Sequence, residues 1–368
     1  MMSIDTLYVR EPDVRSVKLK SISPSQHWYN KACAYKFILS NCPGVAKLPA
    51  SPRAEIGIIA HKMLQWSASR RSIGVSLADA ESKFDELLAQ RESALASSPL
   101  TASIANLSKS CDVFLKRRHA AIANSERSAS PQPPINGSKI KKVYTEESLT
   151  SPDGLVSGTM DSVYINGEEI HVVDKKTGSA CEGGKIKESY REQLFLYAGL
   201  IDECLGQMPV RLSLIDGEGR RHDVPFDPCF VRANYQSAKE WILSVREEVE
   251  RNPTHLEELA EPKPQNCNYC QFRPTCKPYW KASRLNSAGF PSDFASTIAT
   301  VERLKLATLV NFAGFDSRLS FRVISTCLKG HPILTEIKQG DKLIISNVDL
   351  VGRLLEPTVQ SVVFKDLR

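Results

Sequence analysis

Gly158-Thr159-Met160-Asp161, followed by Val172-Val173-Asp174-Lys175-Lys176-Thr177-Gly178, puts two carboxylates and a lysine into what reads as a pair of adjacent strands. The intervening residues, 162–171, contain Asn166-Gly167, a dipeptide that favours the tight turn of a β-hairpin between β-rich runs. Each aspartate then has its own strand, and pairing brings Asp161 and Asp174 within reach of a shared divalent ion. Lys176 follows Asp174 by two residues, so strand periodicity places both on one face. A hard cation such as Mg²⁺ takes carboxylate oxygens and keeps several waters. A neighbouring ammonium orients an attacking water or balances charge that builds on a phosphate.

Two helical signals flank the hairpin. Gly57-Ile58-Ile59-Ala60-His61 precedes it and Gln193-Leu194-Phe195-Leu196-Tyr197 follows it. Singly, each has an ordinary explanation. His61 is a surface or core histidine, Asp161 a solvated turn residue, Lys175-Lys176 a wet strand edge, and Gln193 with Tyr197 one face of an amphipathic helix. In this order the four motifs resemble the RecB-type branch of the PD-(D/E)XK nucleases, with their G-x-x-x-H, G-x-x-D, D-x-K and Q-x-x-x-Y patterns. The resemblance implies an α/β, restriction-endonuclease-like core with a helical layer. It further implies that His61, Asp161 and Asp174 bind Mg²⁺ or Mn²⁺, that the Lys175 carbonyl faces the metal, that Lys176 is catalytic, and that Gln193 and Tyr197 hold DNA. Lys175 departs from the pattern, which has an aromatic or apolar residue there; a contribution through the backbone tolerates the change.

Cys267-Asn268-Tyr269-Cys270 and Cys276 lie among Pro262, Pro264, Pro274 and Pro278, a knuckle that lacks one ligand of a four-ligand zinc or iron–sulfur site. Ser23-Pro24-Ser25 with Cys33-Ala34-Tyr35-Lys36-Phe37 resembles the S-x-S…C-x-x-x-F entry segment of nucleases with an iron–sulfur staple, such as the AddB nuclease and the CRISPR-associated adaptation exonucleases. The resemblance implies a [4Fe–4S] cluster on Cys33, Cys267, Cys270 and Cys276. Zinc on the same thiols is the alternative, and Cys42 is the rival to Cys33. The remaining cysteines are scattered and read as ordinary thiols. With ten cysteines in 368 residues, no secretory signal at the start and no apolar run near the ~20 residues of a membrane span, a cytoplasmic, reducing setting without a membrane partner is expected.

Lysine plus arginine total 48 against 42 aspartate plus glutamate, a net +6 compatible with a polyanionic partner. Basic clusters occur at Arg70-Arg71, Lys116-Arg117-Arg118-His119 and residues 139–142. Three regions are expected: an N-terminal segment with the first cluster cysteine (1–53), a nuclease core closed by the knuckle (54–280), and a β-rich region (294–368). In the core, 54–123 reads as helical and 128–138 as a loop. Strands are expected at 143–149, 155–164, 169–174, 210–215 and 221–225, and helices at 188–205 and 231–251. Beyond it, strands are expected at 297–310, 317–326, 334–338, 342–348 and 358–364.

Gly340-Asp341-Lys342-Leu343-Ile344-Ile345-Ser346-Asn347-Val348 resembles the G-D-x-h-x-h-x-N-h strand of OB-folds, implying a small OB-like barrel that takes single strands. Phe312, Phe315, Phe321, Arg318 and Arg322 are candidate contacts. An SH3-like docking module is the competing possibility. No phosphate-binding G-x-x-x-x-G-K-[ST] loop is present, so opening a duplex requires a helicase or ATPase in trans, or frayed ends. The expected activity is metal-dependent hydrolysis of DNA, as an exonuclease on single strands or ends, in prokaryotic repair, recombination or anti-phage defence. A non-catalytic DNA-binding or scaffolding subunit and an RNA-directed nuclease are the alternatives.

Overall fold

The computed structural model describes residues 7–14, 17–70, 73–129, 142–285, 288–303, 308–313, 320–323, 331–351 and 354–368. Arg71, most of the expected 128–138 loop, Lys139, Lys141, Phe315, Arg318 and Cys327 lie outside the described residues, as do the side chains of Phe321 and Arg322.

A short strand β1 (Tyr8–Val9) precedes α1 (Pro24–Lys31) and α2 (Ala34–Asn41). The helical stretch expected at 54–123 is four helices: α3 (Pro52–Ser69), α4 (Leu77–Ala96), α5 (Leu107–Ser110) and α6 (Phe114–Ala129). Local chemistry sets their ends. Ser51 accepts from the Ala54 amide ahead of Pro52, and Ser76 forms a capping box with Asp79. Ile56, Ile59, Met63, Phe84 and Ile122 bury the facing sides of α3, α4 and α6.

The first sheet contains β2 (Lys142–Thr150), β3 (Ser157–Asn166), β4 (Glu169–Lys175), β7 (Arg211–Ile215) and β8 (Arg221–Asp223), in that spatial order. A small hairpin, β5 (Cys181–Glu182) with β6 (Lys185–Ile186), and α7 (Glu188–Leu205) connect β4 to β7. β4 and β7 run parallel and therefore need this crossover. Every residue of β4 after Glu169 is buried, as befits a central strand with both faces covered. The β3–β4 turn is displaced by one residue from the expected Asn166-Gly167 centre. Asn166 pairs with Glu169, and Gly167, with φ +62°, takes the first central position that a glycine fills without strain. α7 stops at Gly206 in the left-handed region, and α8 (Pro228–Arg251) starts at Asp227, which accepts from the Phe230 amide.

Short α9 (Pro264–Cys267) and α10 (Lys277–Leu285) bracket the knuckle and lead to the second sheet. It holds β9 (Phe294–Arg303), β10 (Thr308–Ala313), β11 (Ser320–Val323), β12 (Lys342–Val351) and β13 (Leu354–Asp366), with α11 (Pro332–Glu336) before β12. Pairing runs from β9 through β10, β11, β13 and β12 back to β9. β1 adds to β13 in parallel, so the N-terminus is hydrogen-bonded into the C-terminal sheet.

Two expectations are corrected here. The single strand at 297–310 is two antiparallel strands, Arg303 pairing with Thr308. The strand at 334–338 is α11, because Pro332 lacks an amide hydrogen, suits the first helical turn and opens a helix. Phe312 is 3% exposed and stacks edge-on with Phe294 at 4.8 Å, which makes it a core residue.

His331, at the start of α11, is buried with neither ring nitrogen hydrogen-bonded, and burial pushes its pKa down to about 4. The unfolded chain takes up this proton near pH ~6.5, whereas the folded chain resists it until about pH 4, so stability falls as pH drops through that window. Urea unfolding should therefore show that His331→Leu removes about 2 kcal/mol of the stability lost between pH 7 and pH 5. An unchanged pH dependence would place the titration elsewhere.

Candidate active site

Asp174 is the penultimate residue of β4, and the Lys176 amide, donating to the Ile215 carbonyl at 2.8 Å, carries the pairing with β7 past the strand end. That continuation turns Lys176 to the side of Asp174. Lys176 Nζ lies 2.7 Å from Asp174 Oδ2 and donates to Gln193 Oε1 at 2.7 Å, while Gln193 Nε2 donates to Asp174 Oδ1 at 3.0 Å. One amide thus holds both members of a buried ion pair. The ammonium also sits 4.5 Å from the centroid of the Tyr190 ring. Asp161 reaches the same strand end from β3, its Oδ2 accepting the Lys175 amide at 2.6 Å.

Helical spacing puts Tyr190, Gln193 and Tyr197 on one side of α7, the side that meets the sheet. The Tyr197 hydroxyl donates to the Thr159 carbonyl at 2.8 Å. Gly158 is required beneath it, since a Cβ there would lie 2.9 Å from Tyr197 Cε1 and 2.8 Å from Pro24 Cδ. Gly57 has a similar role on α3, where a Cβ would stand 3.3 Å from Thr177 Oγ1. The helix carrying His61 therefore abuts the end of β4, and Ala60 and Leu64 share a small cavity with Lys175, Lys176 and Thr177.

A family model described as the PD-(D/E)XK nuclease superfamily matches residues 21–277. The chain belongs to the PD-(D/E)XK nuclease superfamily. No curated protein is similar in sequence. Among solved structures, one titled "Crystal structure of SSO0001" is similar at 13% identity with a TM-score of 0.25, over 60% of this chain and 97% of that one.

Members of this nuclease superfamily generally cleave phosphodiesters. Gln193 and Tyr197, expected to touch DNA, are 5% and 3% exposed and bond to protein groups. In this arrangement they tie α7 to Asp174 and to the Thr159 carbonyl. Among the described residues no three histidine, cysteine or acidic side chains are gathered at metal-ligand spacing. The donor chemistry at the strand end nevertheless suits a hard divalent cation: two carboxylates meet there, and Asp174 Oδ2 is buried and accepts no well-directed hydrogen bond.

The knuckle cysteines form a second locus. Cys33 precedes α2, Cys267 closes α9, and Cys33, Cys270 and Cys276 pack against one core. Burial pushes the Cys267 thiol up to about 12, with the charges of Cys270 and Cys33 adding to the rise. Burial raises Cys276 as well, followed by Cys270, Cys33 and Cys267. The three knuckle thiols all feel Cys33. Arg273, buried among them, donates to the carbonyls of Cys267 and Asn268 and pairs with Asp293 at 2.7 Å.

A further arrangement beside the end of β4 has no local sequence signal. His222 Nε2 lies 2.9 Å from Asp216 Oδ2, and its Nδ1 lies 3.7 Å from Cys181 Sγ. Burial acts to raise the Asp216 carboxyl, but hydrogen bonds from His222, Arg220 and backbone amides outweigh it and hold the pKa at about 2. These residues come from β5, the β7–β8 turn and β8, and only the folded sheet brings them together.

Gln193→Ala should lower kcat by about 10–100-fold, the usual cost of losing an outer-shell partner, while KM for DNA changes less than about twofold. Steady-state cleavage kinetics give both values. A variant whose main defect is a raised KM would put Gln193 in contact with the substrate.

Proposed function

We propose that this chain is a Mg²⁺- or Mn²⁺-dependent deoxyribonuclease acting as an exonuclease on single strands or frayed ends. The observation that carries this is the Asp174–Lys176 pair held by Gln193 at the end of β4, with Asp161 beside it. His61, Asp161, Asp174 and the Lys175 carbonyl would hold the cation. When bound, such an ion lowers the pKa of a coordinated water and offsets phosphate charge. Lys176 orients the attacking water and presents a fixed positive charge to the phosphodiester as negative charge develops. Gln193 keeps its ammonium in place, Tyr190 covers one side of it, and the buried strand end excludes bulk water.

Cys33, Cys267, Cys270 and Cys276 are assigned to a [4Fe–4S] cluster, supported by the one-plus-three layout and by the packing of Cys33, Cys270 and Cys276 against one core. Zinc on the same set is the other occupant of such chemistry. The circuit of strand pairings in the C-terminal sheet supports an OB-like barrel that presents single strands to the core. No helix among the described residues is long and apolar enough to cross a membrane. Prokaryotic repair, recombination or anti-phage defence is the setting this chemistry suits, with a helicase supplying opened duplex.

The two catalytic substitutions should be separable. Asp174→Ala should abolish cleavage and weaken Mn²⁺ binding by calorimetry. Lys176→Ala should bind Mn²⁺ nearly as the parent does and stay inactive at saturating metal. Wild-type-like cleavage by Lys176→Ala would sink this mechanism, and a parent protein inert on every nucleic acid with either metal would favour a non-catalytic scaffold.

Anaerobically purified protein should be brown, with thiolate-to-iron absorbance near ~400 nm. Cys33→Ser should bleach it and lower the unfolding midpoint, because ligand binding here contributes to folding. A colourless protein with one zinc per chain would replace the cluster with zinc.

A further inference from the structure

Three hollows lie end to end on the face that carries the strand end. The first, ≈ 350 Å³, opens where the core, the knuckle and the C-terminal sheet meet, between Ser51, Tyr269 and Gln360. The second, ≈ 230 Å³, runs along Arg53, Lys116, Arg117 and the Thr177–Ser179 loop. The third, ≈ 70 Å³, reaches Lys176. Arg117, Thr177 and Gly217 line both the second and the third. At the other end, Ser51 and Ala54 of the first hollow flank Arg53 of the second on the first turn of α3.

The chemistry along this line is graded. At its outer end Tyr269 is 91% exposed although it sits inside the knuckle, between two cysteines that are largely covered. An aromatic ring left in water at the mouth of a groove is a stacking surface without a protein partner. Midway the groove is cationic. Arg53 pairs with Asp112, but the two side chains are 58% and 61% exposed, and such pairs exchange partners at little cost. Arg117 donates to the neutral Arg53 carbonyl, leaving its charge directed at the groove, and Lys116 stands 4.0 Å from Glu218 with 78% of its side chain exposed. A phosphate offers both arginines a better acceptor than water does. At the inner end the groove narrows onto Lys176.

We infer that these hollows are one track for single-stranded nucleic acid, entered at Tyr269 beside the C-terminal sheet and leading past Arg53, Lys116 and Arg117 to Lys176. Bases stack at the entrance, phosphates are held in the middle, and the scissile group arrives at the lysine. This rests on the nuclease assignment above and deepens it by giving the strand a route. It also gives the C-terminal sheet a part in the chemistry, since Gln360 and Asn347 of that sheet wall the entrance. A track whose contacts are one exposed ring followed by a line of cations suits an unpaired strand, whose bases are free to stack.

The test uses the full-length protein carrying Lys176→Ala to stop turnover, with fluorescence anisotropy on 5′-labelled oligo(dT) in Mg²⁺. For an oligonucleotide of about 16 residues, adding Tyr269→Ala should weaken binding about tenfold, and Tyr269→Phe should stay within about twofold of the parent. Arg53→Gln should lower the slope of log affinity against log salt by about 1. For an oligonucleotide of about 4 residues, Tyr269→Ala should weaken binding less than it does for the long strand. If Tyr269→Ala and Arg53→Gln bind the long strand like the parent, or if Tyr269→Phe is as weak as Tyr269→Ala, the track is wrong and the nuclease assignment stands. If the Lys176→Ala parent binds no single strand at any salt, both fall. Tighter binding of a blunt duplex than of the single strand would overturn the track alone.

Discussion

The ion pair at the end of β4 is the constraint around which the core is arranged. Asp174 and Lys176 are at the edge of the most buried strand in the sheet, with side chains 6% and 15% exposed. Withdrawing two charges from water costs several kcal/mol each, and mutual attraction recovers this only when other polar groups complete the hydrogen bonding. Gln193 does so for both partners at once. The need for that amide fixes where α7 crosses the sheet, and the crossing in turn brings Tyr197 over Gly158 and Tyr190 over the ammonium. A side chain on Gly158 would push the helix away, so the glycine of the first strand and the glutamine of the helix serve one geometry.

A second buried pair does comparable work at the other end of the molecule. Arg273 and Asp293 have side chains 4% and 0% exposed. Arg273 takes up carbonyls of the knuckle and donates to Asn347 Oδ1, while Asp293 accepts the Asn347 amide and the Tyr279 hydroxyl. Asn347 has φ +57° and lies where the β12–β13 register shifts, a conformation asparagine tolerates better than most residues. The bulge, the knuckle and the linker before β9 are therefore parts of one network. Removing either charge would strand the other in the interior, at a cost of about 3–5 kcal/mol.

Much of the core was legible in the sequence because its signals are local. β-rich runs and a glycine turn mark the β3–β4 hairpin, and α7 spans the expected 188–205. The D-x-K lysine lies beside its aspartate, as the strand period requires. What escaped depends on distant partners. β1 is two residues long and acquires its identity from β13, more than 300 positions away. The Asp216–His222–Cys181 arrangement joins a strand hairpin to a turn on another strand. Arg273 read as one more arginine in a proline-rich knuckle, and nothing in its neighbours announces Asp293. The protein partners of Gln193 and Tyr197 were not legible for the same reason, since helix spacing gives the face and not what covers it. At 334–338 apolar residues suggested a strand, but a proline at the first helical position decided the local backbone.

The buried pair also bears on whether the fold is kept for chemistry or as a scaffold. A chain that needed this sheet only as a frame would be at least as stable with well-packed apolar residues at 174 and 176, because replacing a buried ion pair by such residues is commonly neutral or favourable by about 1–4 kcal/mol. The same change would free Gln193 and Tyr190 from their present duties. Here those side chains are committed to holding one ammonium against one carboxylate, at a strand end lined by a cationic groove. For a scaffold that arrangement is a cost without a return. For a phosphodiesterase it supplies a preorganised charge at the place where charge develops, which is the form of electrostatic stabilisation that lowers a barrier without reorganisation during the reaction.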